Sequence, residues 1–287
     1  MKVAVIGAAG KMGLLFTEYF VKEGHSLILY DVKTLEVKKV ADRFSVNFAR
    51  SLDEALKDID VICVSVPIET TPKVLQETSR FLKKGMVVME IASFKCGVVE
   101  VLKRIADLGV TTLSIHPLFG PGAKDLRGKV MALIPILDEA NEIATFQRIF
   151  PTVKMVKLEA EEHDYLMAII LSLTYFTNIV FSSTIMDKNP STLRRMSGTN
   201  FKIQLTLMEA ITSEDPDLIL SLMKENKFAL DCISKFIENA KSIYQMLYSN
   251  DTSKFKSLIG EVKAKLMSDE RYSQSYQDIY RILDLLN

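Results

Sequence analysis

The chain has 287 residues, 48% hydrophobic and 25% charged, with 36 Lys and Arg balanced by 36 Asp and Glu. That length suits one large domain or two ordinary ones. The zero net charge argues against a general nucleic-acid binder or a partner of acidic membranes.

From the first residues, short apolar runs alternate with amphipathic stretches. "KVAVIG" reads as a strand and "GKMGLLFTEYFVKEG" as a helix. "SLILYD" is the next strand, followed by a charged helix, "TLEVKKVADRF". "SVNFA" reads as a short strand, and "SLDEALKD" opens on a Ser cap. "DVICVSVP" is a buried strand, and "ETTPKVLQETSRFLKKG" a helix with Pro72 in its first turn and Gly85 past its end. "MVVMEIAS", "TTLSIHP" and "KVMALIPI" complete the strands. This alternation predicts a Rossmann-type, doubly wound, mostly parallel sheet covered on both faces, over residues 1–158. After "KMVKLEAEEHD" only helical patterns remain, so residues 159–287 form an all-helical domain that opens on a long helix from about Glu159 to Met186. Residues 166–186 carry no charge and are long enough to span a bilayer, but an interface helix of a dimer has the same composition. The interface is the expectation, and a membrane span is not.

Gly7, Gly10 and Gly13 sit where the first strand hands over to a helix. Such a turn lets backbone amides approach a pyrophosphate at a helix N-terminus. Its other members, Ala9, Lys11 and Met12, share the candidate site, although the G-x-x-G-x-x-G spacing departs from G-x-G-x-x-G. Asp31 ends the second strand, where a carboxylate accepts ribose hydroxyls and repels a 2′-phosphate. The cofactor expected is NAD; Lys33 keeps NADP open, and a helix-capping Asp31 is the alternative. Val66 and Pro67 follow the fourth strand and suit the wall of a nicotinamide pocket.

Ser93 and Lys95 follow the fifth strand, and His116 ends the sixth, before a Pro- and Gly-rich loop. An imidazole there can take a proton from a substrate hydroxyl as hydride leaves the same carbon. Ser93 is expected to orient it or to cap the following helix. His163 and Asp164 read as first-turn residues of the long helix, and His25 as an exposed turn residue. Cys63, Cys96 and Cys232 fit no disulfide framework and no zinc pattern and read as buried free thiols of a reducing cytoplasm, with no metal site. A strand starting at residue 2 without a charged leader predicts no secretory signal.

At "IHPLFGPGA" the sequence resembles the prephenate dehydrogenases. The likeness runs in order through Gly7 to Gly13, Asp31, Ser93 with Lys95, His116 to Pro121, "EEHD" at 161–164 and "DPDLILSLMKEN" at 215–226. It implies NAD-linked oxidative decarboxylation of prephenate to 4-hydroxyphenylpyruvate, in tyrosine synthesis, by a cytoplasmic homodimer joined through its helical half. Two substrate carboxylates require cations, for which Lys95, Lys124, Arg127 and Lys202 are the candidates. Tyr175 stands where members often have a His, and Lys202 where they often have an Arg, so arogenate is the alternative substrate. A β-hydroxyacid dehydrogenase or related reductase would use a Lys on the interdomain helix, and Tyr165 to Met186 contain none. A nucleotide-sensing dimer that lost its chemistry would lack His116.

Overall fold

A computed structural model describes residues 1–286, which fall into two compact units, Met1–Met167 and Ala168 onward. In the first unit eight strands form one sheet in the order β3-β2-β1-β4-β5-β6-β7-β8. They are β1 (Lys2–Ile6), β2 (Ser26–Tyr30), β3 (Asn47–Phe48), β4 (Val61–Val64), β5 (Val87–Glu90), β6 (Thr111–Pro117), β7 (Val130–Ile134) and β8 (Lys154–Lys157). The pairings from β3 through β6 are parallel, β7 runs antiparallel to β6, and β8 runs parallel to β7. The predicted doubly wound, mostly parallel sheet is observed, with one strand more than predicted, β8, at its edge.

Strand alternation divides the core between the two faces. Val3 and Val5 of β1 face one core, with Leu15, Phe16 and Phe20 of α1 (Lys11–Lys22) and Val37 of α2 (Thr34–Phe44). Ala4 and Ile6 face the other, with Ala55 of α3 (Leu52–Ala55), Leu75 of α4 (Thr71–Thr78), and Leu102 and Ile105 of α5 (Val99–Ala106). Phe146 and Ile149 of α6 (Glu139–Ile149) join the first face. Ser51 caps α3 as expected, accepting the Glu54 N–H at 3.2 Å. By contrast α4 ends at Thr78, well before Gly85: a 3-10 turn, Ser79–Phe81, follows it.

The long helical run from Ala160 to Ile185 is not uniform. It comprises α7 (Ala160–Met167), a π-helical stretch at Ala168–Leu173 and α8 (Thr174–Ile185). It is long and apolar enough to cross a membrane, by length and composition alone. In the second unit α9 (Pro190–Met196), α10 (Thr199–Thr212), α11 (Pro216–Lys224), α12 (Ala229–Tyr248), α13 (Thr252–Leu266) and α14 (Ser275–Leu286) follow, and no strand occurs among its described residues. Asn178, buried on α8, accepts a 2.9 Å bond from the Gln204 amide of α10 and ties the two helices together.

Two expectations about isolated side chains need correction. Only Cys63 of the three thiols is buried; Cys96 is exposed because it lies on the turn after β5, and Cys232 is half-buried. His25 is half-buried, its ring 5.8 Å from that of Phe20.

Candidate active site

Gly7 follows β1 with φ +84°, and its N–H donates to Tyr30 O at 2.8 Å. A Cβ there would lie 2.1 Å from Ser65 O, and one on Gly13 would lie 2.1 Å from Gly7 O. Backbone atoms cannot yield to such contacts, so both positions require glycine. Gly10 is the N-cap of α1 and offers no side chain to its first-turn N–H groups, which helix geometry leaves without intrahelical acceptors. Val66 lies beside this turn, since its Cγ1 would be 3.0 Å from a Gly7 Cβ, and Pro67 is exposed next to it. The Asp31 carboxylate accepts from Ala9 N at 3.0 Å and from Lys33 N at 2.9 Å. It therefore braces the glycine turn and does not cap α2, whose N-cap residue is Lys33. A glycine turn, a helix N-terminus and a carboxylate at the end of β2 together fit a dinucleotide.

On the other side of β4 the strand ends carry a buried polar cluster. Glu90 of β5 and Ser114 of β6 are register partners, and the Ser114 hydroxyl donates to Glu90 Oε1 at 2.6 Å. The chain turns back after β5 and brings Lys95 Nζ to 2.7 Å from Glu90 Oε1 and 2.6 Å from Ile115 O. Both charged side chains are fully buried. Burial lowers the Lys95 pKa from its ordinary value, and Glu90 offsets only part of that. Lys95 is thus a buried ion-pair partner of Glu90 with no exposed area. A buried carboxylate needs a counter-charge.

His116, near the end of β6 and 6% exposed, lies on the same sheet face as Glu90 and Ser114. Its Nδ1 is 3.0 Å from His163 Nε2, and His163 Nδ1 is 2.8 Å from Asp164 Oδ1. Asp164 also accepts the backbone N–H groups of Lys95 and Cys96, each at 2.8 Å. Burial raises its carboxyl pKa, but the hydrogen bonds from His163, Cys96 and Lys95 outweigh that and hold it below the ordinary value. The His116 pKa is well below 6.5, first through burial, then through repulsion by Lys95 and, when His163 is protonated, by His163, with Asp164 opposing. A neutral imidazole at pH 7 is the form that accepts a proton.

Ser93 is half-buried, makes no hydrogen bond to His116 among the described residues, and does not cap α5, whose N-cap is Val98. The side chain beside His116 is instead His163, expected only to sit in a helical turn. Its one sequence signal is membership of "EEHD". Lys124 is exposed in a cleft with Glu18, Lys22 and Glu23 along α1, and the Arg127 guanidinium lies 3.9 Å from Asp125. Neither is drawn into the His116 cluster. Tyr175 is half-buried on α8 and Lys202 exposed on α10, both in the second unit. Among the described residues no group of three or more His, Cys, Asp or Glu could hold a metal ion.

Family models for "Prephenate dehydrogenase, nucleotide-binding domain" and "Prephenate dehydrogenase, dimerization domain" match residues 16–157 and 159–261. The chain belongs to the prephenate dehydrogenase family. A probable arogenate/prephenate dehydrogenase of Methanocaldococcus jannaschii is 24% identical over 97% of this chain. The chain spans 64% of the length of that relative and 66% of the T-proteins of Enterobacter agglomerans and Haemophilus influenzae. Among solved structures, prephenate dehydrogenase from Aquifex aeolicus, in complex with hydroxyphenyl propionate and NAD+, superposes with a TM-score of 0.75 at 21% identity. It is covered over 98% of its chain and covers 93% of this one. Arogenate dehydrogenase from Synechocystis gives a TM-score of 0.67 at 16% identity, over 92% of this chain and 98% of its own. The solved structures share the fold of this chain, and the family model over residues 16–157 is that of a nucleotide-binding domain.

Proposed function

We propose that the protein is a prephenate dehydrogenase that uses NAD+ and releases 4-hydroxyphenylpyruvate and carbon dioxide. The observation that carries this is His116, neutral and near the end of β6, on a sheet whose first turn is built for a dinucleotide. Gly7, Gly10 and Gly13 with the first turn of α1 would hold the pyrophosphate, Asp31 the adenosine ribose, and Val66 and Pro67 would flank the nicotinamide. Bound NAD+ supplies the acceptor for the hydride leaving the hydroxyl-bearing ring carbon. His116 takes the hydroxyl proton as that carbon becomes a carbonyl. Loss of the carboxylate as carbon dioxide then makes the ring aromatic, and His116 returns the proton to the phenolate oxygen. Lys202 and Tyr175 are the candidates for holding the substrate.

The deciding assay measures reduced-cofactor formation with prephenate or arogenate and with NAD+ or NADP+. The expected result is turnover of prephenate with NAD+; reduction with arogenate alone reassigns the substrate. Asp31→Ser should weaken NAD+ binding and relatively improve NADP+, because the repulsion of a 2′-phosphate disappears. A native protein using NADP+ at least as well would reassign Asp31 and make Lys33 the phosphate partner.

The second unit supports a homodimer. The uncharged helical run exposes Ile169, Ile170 and Val180 in the single chain, and the family's dimerization domain covers it. Sedimentation at micromolar concentration without detergent should give a dimer. A monomer contradicts this interface, and partition into membranes favours the spanning helix. The three free thiols suit a reducing cytoplasm.

A further inference from the structure

His116 has two ring nitrogens, and only a bare one can act as a base. Which one is bare follows from its neighbours. Asp164 is held ionised by hydrogen bonds that include those from His163 Nδ1, from Cys96 N at 2.8 Å and from Lys95 N to both oxygens at 2.8 and 3.1 Å. An ionised carboxylate has no proton to give, so the hydrogen between Asp164 and His163 belongs to His163 Nδ1. A neutral His163 then offers a lone pair at Nε2. The hydrogen in the 3.0 Å contact with His116 must come from His116 Nδ1. A doubly protonated His163 would reverse this, but it would put a positive charge on a side chain with no exposed area. The two rings meet edge to face, 5.1 Å between centroids at 81°.

We infer that Asp164 and His163 are positioning residues that hold His116 in its Nδ1–H form, with Nε2 bare as the proton acceptor. Among the described residues His116 Nε2 has no hydrogen-bond partner, while every fully buried side-chain nitrogen and oxygen has one. Nε2 is therefore not fully enclosed. The chain Asp164–His163–His116 is a carboxylate acting on a base through an intervening imidazole, and it orients and fixes a tautomer without itself moving a proton to substrate. This inference rests on His116 being the base of the proposed reaction, but its primary test does not need turnover.

The chain contains three histidines, so the imidazole nitrogens of His25, His116 and His163 can be assigned in a ¹⁵N-labelled protein by single replacements. In the native protein at pH 7.5, to take a pH of about one unit above the ordinary histidine value, His116 should show a protonated Nδ1 and a bare Nε2. A proton on Nε2 would overturn the assignment whatever the enzyme turns over. In His163→Leu the acceptor is gone and the proton should move to His116 Nε2, with kcat falling about a hundredfold at little change in KM or in NAD+ affinity. His163→Gln places an amide oxygen near the lost Nε2 and should recover at least about tenfold of that loss, which a packing defect would not allow. Equal losses in Leu and Gln variants that remain folded would reject the positioning role. A native tautomer as inferred, in a protein that oxidises neither substrate, would leave the geometry standing and remove the proposed reaction.

Discussion

Replacing His116 with Asn should lower kcat by roughly two to four powers of ten, the usual worth of a positioned general base. Asn keeps a polar side chain of similar reach but has no basic nitrogen. Cofactor affinity should hardly change, because the pyrophosphate and ribose contacts assigned here lie at Gly7 to Gly13 and at Asp31. The pH dependence carries the sharper test. Burial is the largest cause holding the His116 ring well below 6.5; Lys95 lowers it further, as a protonated His163 would, and Asp164 opposes. The native kcat/KM should therefore be flat down through pH 6.5 and fall only at more acidic pH, and the Asn variant should lose that limb. Stability follows the same linkage. The unfolded chain begins to protonate this residue near 6.5 while the folded chain does not. The contribution is thus fully present above 6.5 and is lost as pH falls from there through the lowered folded value. Thermal unfolding of the two proteins between pH 7.5 and 5 measures it, and the Asn variant should show the shallower decline. A variant with near-native kcat and an unchanged pH profile would end the case for His116 as the base.

Lys95→Met should destabilise the protein by about 3–5 kcal/mol, because it strands a buried carboxylate. Glu90 would keep only the Ser114 hydroxyl and the Ala92 N–H, at 2.6 and 2.7 Å, and both side chains of the pair have no exposed area. Replacing Glu90 and Lys95 together by Leu and Met should recover more than half of that loss, since an apolar pair of similar volume needs no solvation. Denaturant unfolding of the single and double variants reads both values. Where the single variant retains activity, the acidic limb of kcat/KM should move up toward 6.5, because Lys95 is among the groups that repel a proton from His116. A Lys95→Met protein as stable as the native one, with a raised KM, would return Lys95 to the substrate. The contrast matters because a lysine two residues beyond a candidate-site serine reads from sequence as a ligand cation.

Residue order alone determined the features that depend on local period and local sterics. The alternation of apolar runs with amphipathic stretches determined the doubly wound sheet. A run such as "TLEVKKVADRF" became α2 at Thr34–Phe44, the residues its pattern marks. The glycine turn was legible because a strand-to-helix turn excludes Cβ at Gly7 and Gly13 whatever packs around it. The position of His116 was legible, because it falls near the end of a strand at the carboxyl edge of such a sheet, where sites are commonly built. The identity of its neighbour was not. His163 lies 47 residues away along the chain, and Asp164 is 69 residues from the Lys95 N–H that it accepts. Only the docking of α7 against the ends of β5 and β6 brings these groups together. The same holds for charge: Lys95, Lys124 and Arg127 look alike in sequence, yet one is buried against Glu90, one lies along α1 and one sits by Asp125. A long side chain has many rotamers of similar energy, and its destination is decided by which buried counter-charge the fold leaves within reach, a property of the packed chain that no local pattern encodes.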